Sequence, residues 1–185
     1  MSERGEKRVK GARREQILET LARELEDNHG KRITTSTLAS AVGVSEAALY
    51  RHFPSKAKMF EGLIDFIEET VFGLIGRIGA ESQGAALQSE QIIALLLTFS
   101  EKNPGMTRIL VGDALIGEHE RLQQRVGQFF ERIETELKQI LRQGDLNGEL
   151  QRGVHQAAAA NLMLSLVEGR MHQFVRSQFR RKPTV

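Results

Sequence analysis

Cysteine is absent from the 185 residues, which excludes disulfides and thiolate zinc sites and allows a reducing compartment. Long apolar runs are missing as well. The longest, Ile92 to Leu97, is far too short to span a bilayer. The first residues are charged and hold no apolar stretch, so no secretory signal is expected. No segment alternates apolar and polar residues as a half-buried strand does, and no internal repeat is visible. Neither a phosphate-cradling glycine loop nor a nucleophile elbow is present, and no Ser, His and Asp trio is singled out by spacing. An enzyme is therefore not expected, nor a cofactor. These absences describe a soluble, cytoplasmic, all-α protein.

What is present is a chain that is 40% hydrophobic, enough for a substantial core, with a formal net charge of only +2. A small total hides an uneven distribution. Arg4, Lys7, Arg8, Lys10, Arg13 and Arg14 crowd one end, and Arg170, Arg176, Arg180, Arg181 and Lys182 the other. The first cluster abuts the motif described below and reads as a phosphate-binding arm. The second reads equally as a solvated tail.

Ile17, Leu18, Leu21, Ala22 and Leu25 recur at helical spacing, predicting a first amphipathic helix that Asn28 to Gly30 ends. Thr34 or Thr35 caps a second, which turns Leu38, Ala39 and Val42 inward and closes at Gly43. Ser45 caps a third, stopped by Phe53-Pro54, and Ser55 opens a long fourth. From Gly73 to Ser89 a frayed helix end and a loop are expected, followed by a nearly all-apolar, buried helix through Ile92 to Phe99. Asn103-Pro104-Gly105 breaks it, and Met106 to Ile116 reads as one short helix. A long amphipathic helix at 121 to 143 is terminated by Gly144, and the last runs from 154 to 179.

Two short helices with a tight turn at Gly43 make a helix-turn-helix, whose second helix enters the major groove of DNA. Its groove-facing residues must be short or polar. Ser45, Glu46, Ala47, Tyr50 and Arg51 satisfy this, while Val44, Ala48, Leu49 and Phe53 are left for the core. Arg51 suits a guanine edge or a phosphate equally. Tyr50, His52 and Lys56 are placed for phosphates, with the N-H groups of the helix after Ser55 beside Lys56. Thr34 and Thr35 suit phosphate contacts or plain capping, and His52 also reads as a partly buried core residue.

The run Val44-Ser-Glu-Ala-Ala-Leu-Tyr-Arg-His-Phe-Pro-Ser-Lys56, with Met59-Phe60 after it, resembles the DNA-binding signature of the tetracycline-repressor (TetR) family. The resemblance implies a DNA-binding domain, here residues 1–54, continuous with a helical regulatory and dimerisation domain, here 55–185. It also implies a homodimer on palindromic double-stranded DNA, with several dimers on one site conceivable. The helices at 121 to 143 and 154 to 179 are the candidates for a four-helix dimer contact.

A closer likeness, to the branch of that family that serves nucleoid occlusion, lies in Arg32-Ile-Thr-Thr35, Asn103-Pro-Gly105, Thr107-Arg-Ile-Leu110, Phe130-Glu-Arg-Ile-Glu134 and Phe174-Val-Arg-Ser177. Such proteins sit on nucleoid DNA and, when bound, disrupt polymers of the tubulin-like GTPase FtsZ. The likeness implies a groove for the FtsZ tail between the fourth and fifth helices, at Phe66, Leu95, Thr98, Lys102 and Asn103, with Leu74 standing where a basic residue is expected. The alternative is a ligand-responsive repressor, which needs an apolar cavity with a few polar groups. The helix at 92 to 99 offers it only Thr98 as an inward polar residue. Metal sites are not expected: Glu118-His119-Glu120 has adjacent residues that diverge on a helix, and Asp145-Leu-Asn-Gly-Glu149 lacks calcium-loop spacing.

Overall fold

A computed structural model describes residues 3–28 and 31–185, with side chains from residue 11 onward. The side chains of Arg4, Lys7, Arg8 and Lys10, and the expected helix stop at His29 and Gly30, lie outside the described residues. Among those described, the chain forms eight α-helices and one 3₁₀ turn. These are α1 (Glu3–Asp27), α2 (Thr35–Val42), α3 (Glu46–His52), α4 (Lys56–Glu81), α5 (Ala85–Lys102), α6 (Pro104–Leu110), the 3₁₀ turn (Asp113–Leu115), α7 (Glu120–Leu146) and α8 (Gln156–Arg176).

Local chemistry explains the first boundaries. Thr34 is the α2 cap: its Oγ1 accepts the Thr37 N-H, and the Thr37 hydroxyl accepts the Thr34 N-H, a reciprocal box that satisfies two end donors. Gly43 closes α2 at φ 77, a left-handed conformation that costs a residue with a Cβ. Ser45 Oγ accepts from the Ala48 N-H at 3.2 Å and starts α3, which ends at extended Phe53 because the following Pro54 disfavours helical backbone there. Ser55 Oγ then accepts from the Lys58 N-H and opens α4.

Farther along, tertiary packing overrides several sequence expectations. The loop expected from Gly73 to Ser89 is helix: α4 continues to Glu81 and α5 begins at Ala85, leaving only Ser82–Gly84 between them. Gly73, Gly76 and Gly79 face open space, and buried Val71 and Ile75, with Phe72 and Ile78 packed beside them, hold the turns that the glycines weaken. The single helix expected from Met106 to Ile116 is split, since Gly112 at φ 80 separates α6 from the 3₁₀ turn. Gly144 does not end α7. It is buried inside it, where a Cβ would lie 2.4 Å from Ala85 Cβ, so its job is close approach to α5. The terminator is Gly148 at φ 74. The last helix is also shorter than 154 to 179: His155 caps it and Gln178 and Phe179 leave it with positive φ. On α5, only Ile92, Leu96 and Phe99 of the apolar run are buried, because a single α5 face meets the core.

Two apolar cores result. The first joins Ile17, Leu21 and Leu25 of α1 to Leu38, Leu49, Phe53, Phe60 and Leu63, and is completed by Ile109, Leu115, Leu122 and Val126 from beyond α5. The second packs Ile67, Val71 and Ile75 against Ile92, Leu96, Phe129, Ile133, Leu137, Leu164 and Met171. α4 enters both, so one continuous helix of 26 residues, about 39 Å at 1.5 Å per residue, links them. Charge ties it to α7: Arg121 pairs with Glu61, and Arg125 reaches Asp65 at 2.7 Å and Glu68 at 2.5 Å. Among the described residues no helix is long and apolar enough to cross a membrane.

Candidate nucleic-acid interface

The α3 helix presents two faces that the spacing anticipated. Leu49 and Phe53 are 0% and 1% exposed and anchor it on the first core, while Ser45, Glu46, Ala47, Tyr50 and Arg51 are exposed together on the other side. Within that surface the hydroxyls are largely spent. Thr34 and Ser45 serve as caps, and Thr35 Oγ1 donates to Glu46 Oε2 at 2.9 Å, tying the start of α3 to the start of α2. Glu46 stands in the first turn of α3, where its charge complements the helix end. Ala47, Tyr50 and Arg51 are what the helix can offer to a groove.

The flanking cations differ in their freedom. Arg51 is exposed, whereas Lys56 is engaged: its Nζ lies 2.5 Å from Glu118 Oε1 and 5.6 Å from the centre of the Phe60 ring. His52 is half-buried, and its carbonyl accepts from Arg14 Nη1 at 2.7 Å. The Arg14 guanidinium also lies 4.1 Å over the Phe53 ring, so α1 clamps the C-terminal end of α3 through a cation-π contact. Arg14 was legible only as one member of a basic cluster. Glu118 carried no signal for this role, since 62 residues separate it from Lys56.

The residues expected to form a partner groove on α4 and α5 differ in their exposure and surroundings. Phe66 is 47% exposed on α4, an apolar ring left outside both cores, and Leu95 is half-buried against the second core. Lys102 and Asn103 line a cleft of about 250 Å³ with Glu19, Arg23 and Glu26 of α1. Asn103 also donates from Nδ2 to the Phe99 carbonyl at 2.8 Å, closing α5. Leu74 is half-buried. Thr98 is exposed rather than inward, and it borders a different cleft. The inward polar groups of α5 are Ser89 and Ser100 instead.

That second cleft, about 610 Å³, runs between α5, the end of α7 and the start of α8, and its walls are mainly Ile93, Leu97, Leu141, Leu150 and Met163. The C-terminal strap borders it. Arg170 Nε donates to the Pro183 carbonyl at 3.0 Å, Lys182 pairs with Glu101 at 3.0 Å, and Thr184 donates to Glu101. Arg170 and Lys182 are therefore structural cations and not free tail charges. On α8, Leu162 and Leu166 are 72% and 55% exposed, an apolar stripe facing away from the core. No group of three metal-ligating side chains gathers among the described residues.

Residues 17–63 match the model for bacterial regulatory proteins of the tetR family, and residues 84–185 match a tetracyclin repressor-like C-terminal domain of SlmA-like type. The nucleoid occlusion factor SlmA of Shewanella woodyi is 56% identical over 172 residues, covering 93% of this chain and 87% of that protein. That of a Marinomonas species is 54% identical over 174 residues, covering 94% and 88%. Among solved structures, a TetR transcription regulator from Haloarcula marismortui superposes with a TM-score of 0.78 at 19% identity, covering 94% of this chain and 91% of that one. FadR from Bacillus subtilis, in complex with stearoyl-CoA, gives 0.74 at 17% identity, covering 91% and 90%. At that identity the two structures speak for the fold alone.

Proposed function

The chain belongs to the TetR family, in its SlmA-like branch, and from that premise we propose that it is a nucleoid occlusion factor: a DNA-bound homodimer that antagonises FtsZ ring assembly and blocks septation over the nucleoid. Family members bind DNA as dimers. The exposed stripe of Leu162 and Leu166 supports a dimer through α8, with α7 beside it. The face of Ser45, Glu46, Ala47, Tyr50 and Arg51 is the proposed groove reader, with Thr34, Thr35, His52 and Lys56 at the phosphates.

The observation that carries the second half of the proposal is continuity. Only Phe53, Pro54 and Ser55 separate α3 from α4, and α4 displays Phe66 at 47% exposure within one turn of Ile64, its last residue in the first core. A reorientation of α3 on DNA is therefore transmitted along a rigid helix to the proposed FtsZ surface of Phe66, Leu95, Thr98, Lys102 and Asn103. DNA acts as an allosteric ligand of that surface. Sedimentation of FtsZ polymers with the protein, with and without its specific DNA, tests this. Polymer loss that depends on DNA is expected, and unchanged polymers in both arms would refute it.

One observation favours a second reading, a ligand-responsive repressor: the cleft of about 610 Å³ is apolar with Ser89, Glu90 and Thr98 at its walls, more room than the sequence suggested. Thermal-shift screening separates the two. A small molecule that raises the melting temperature and releases DNA supports the repressor.

A further inference from the structure

Glu118 occupies an unusual position between the two halves of the chain. Its side chain is 8% exposed, and a single oxygen, Oε1, receives two cations: Lys56 Nζ at 2.5 Å and Arg32 Nε at 3.3 Å. Both cations come from the segments that flank the helix-turn-helix, Arg32 just before α2 and Lys56 as the first residue of α4. The carboxylate comes from the turn before α7. That turn is well held: Leu115 is 0% exposed in the first core, the Glu118 N-H donates to the Leu115 carbonyl, and Arg32 Nη2 donates to the Gly117 carbonyl at 2.9 Å. Lys56, by contrast, is a point charge on a four-carbon flexible stem. Of the pair, Lys56 is the one able to move.

We propose that Glu118 is a positioning residue that competes with the DNA backbone for Lys56. This rests on the DNA-binding reading above and adds the regulation of one of its contacts. A phosphate approaching the N-terminus of α4 meets N-H groups and the Lys56 ammonium, but also a nearly buried carboxylate on the same ammonium. Phosphate and carboxylate are both anionic and cannot share one cation at contact distance without repulsion. On DNA, Lys56 turns to the phosphate, and Arg32, 65% exposed, is left as the remaining cation on Glu118. The turn before α7 thereby loses one of its two charged ties to the segments flanking the helix-turn-helix each time a backbone is engaged. Glu118 sets the threshold for DNA binding and records it in the regulatory half.

The test uses the full chain and a fluorescein-labelled duplex enriched by the protein itself from a random-sequence pool, with affinity followed by anisotropy across a salt series. Glu118→Gln keeps the shape and removes the charge, so duplex affinity should rise about fivefold at low salt, as expected for deleting one nearby like charge. The dependence of log affinity on log salt should steepen by up to about 0.9, because the wild type takes up a cation at the Glu118 carboxylate that Lys56 vacates and the glutamine variant does not. A merely structural role would not steepen it. In a Lys56→Gln background the same change should do neither. Glu118→Asp, which keeps the charge but withdraws it by a methylene, should give an intermediate gain and serves if the glutamine variant folds poorly. Weaker binding by Glu118→Gln, or an equal gain with and without Lys56, would overturn the proposal. If the wild-type chain enriches no duplex at all, the DNA-binding reading falls with it. If the wild type binds and Glu118→Gln changes nothing, only this inference fails.

Discussion

Gly105 is the residue whose replacement has the most calculable consequence. It is buried at the start of α6, where a Cβ would sit 2.0 Å from the Ala22 carbonyl oxygen, 3.0 Å from its carbon and 3.1 Å from Glu26 N, all backbone atoms of α1. A carbon-to-oxygen contact is comfortable at about 3.3 Å, so Gly105→Ala requires α6 and α1 to part by about 1.3 Å. No side chain can rotate to absorb this. Overpacking costs typically 1–3 kcal/mol, and a backbone clash belongs at the upper end, about 3 kcal/mol. Alanine returns about 0.5–1 kcal/mol through the helix, leaving a net loss of about 2 kcal/mol. In a chain of this length that lowers the melting temperature by about 4–8 °C, measurable by circular dichroism. The control is Gly127→Ala in the middle of α7, where nothing lies within 4 Å of the added carbon. That variant should be neutral or more stable by up to about 1 kcal/mol. A Gly105→Ala protein that melts with the wild type would show that α1 and α6 do not pack as closely as described.

Three further outcomes are expected. Tyr50→Ala, at a residue 42% exposed, should change stability by less than about 0.5 kcal/mol yet weaken duplex binding about tenfold, the worth of one hydrogen bond to a charged phosphate; gel-shift titration beside a thermal melt checks both. Phe66→Ala should leave duplex affinity unchanged and abolish the DNA-dependent loss of FtsZ polymers in sedimentation; retained polymer loss would remove Phe66 from the partner surface. The hydrogen bond from Lys58, aided by the charge of Arg121, holds the Glu61 carboxyl below its ordinary value of 4.5 despite its burial. A carboxyl with a lowered folded pKa contributes its stability in full above 4.5 and loses it as pH falls through the lower folded value. Urea midpoints measured below 4.5 should therefore drop less steeply for Glu61→Gln than for the wild type.

The parts of the candidate site that were readable from the residues are those decided within about one helical turn. The Thr34 and Ser45 caps, the left-handed Gly43 and the stop at Phe53-Pro54 each involve atoms no more than four residues apart, so the residue types carry the outcome. The 3.6-residue repeat likewise separates Leu49 from Tyr50 and Arg51 without help from the rest of the chain. Gly73 and Gly144 show where that reading stops. Both looked like helix ends, and both are interior, because buried neighbours in one case and the proximity of Ala85 in the other outweigh a propensity of about 1 kcal/mol. Thr98 faces outward against the expectation for a different reason: the period tells which residues share a face, not which face meets the core.

The amino-acid sequence by itself thus determined an all-helical chain, a helix-turn-helix with its outward residues, and a family resemblance that touches nearly the whole chain. The tertiary structure alone decided the contacts between distant segments. It set Gly105 against the α1 backbone, left Phe66 outside both cores, and brought Lys56 and Arg32 to one carboxylate oxygen of Glu118. Such contacts have no local signature. A charge 62 residues away is invisible to spacing, and only the closing of the first core around Leu115 and Phe60 carries it to within a hydrogen bond.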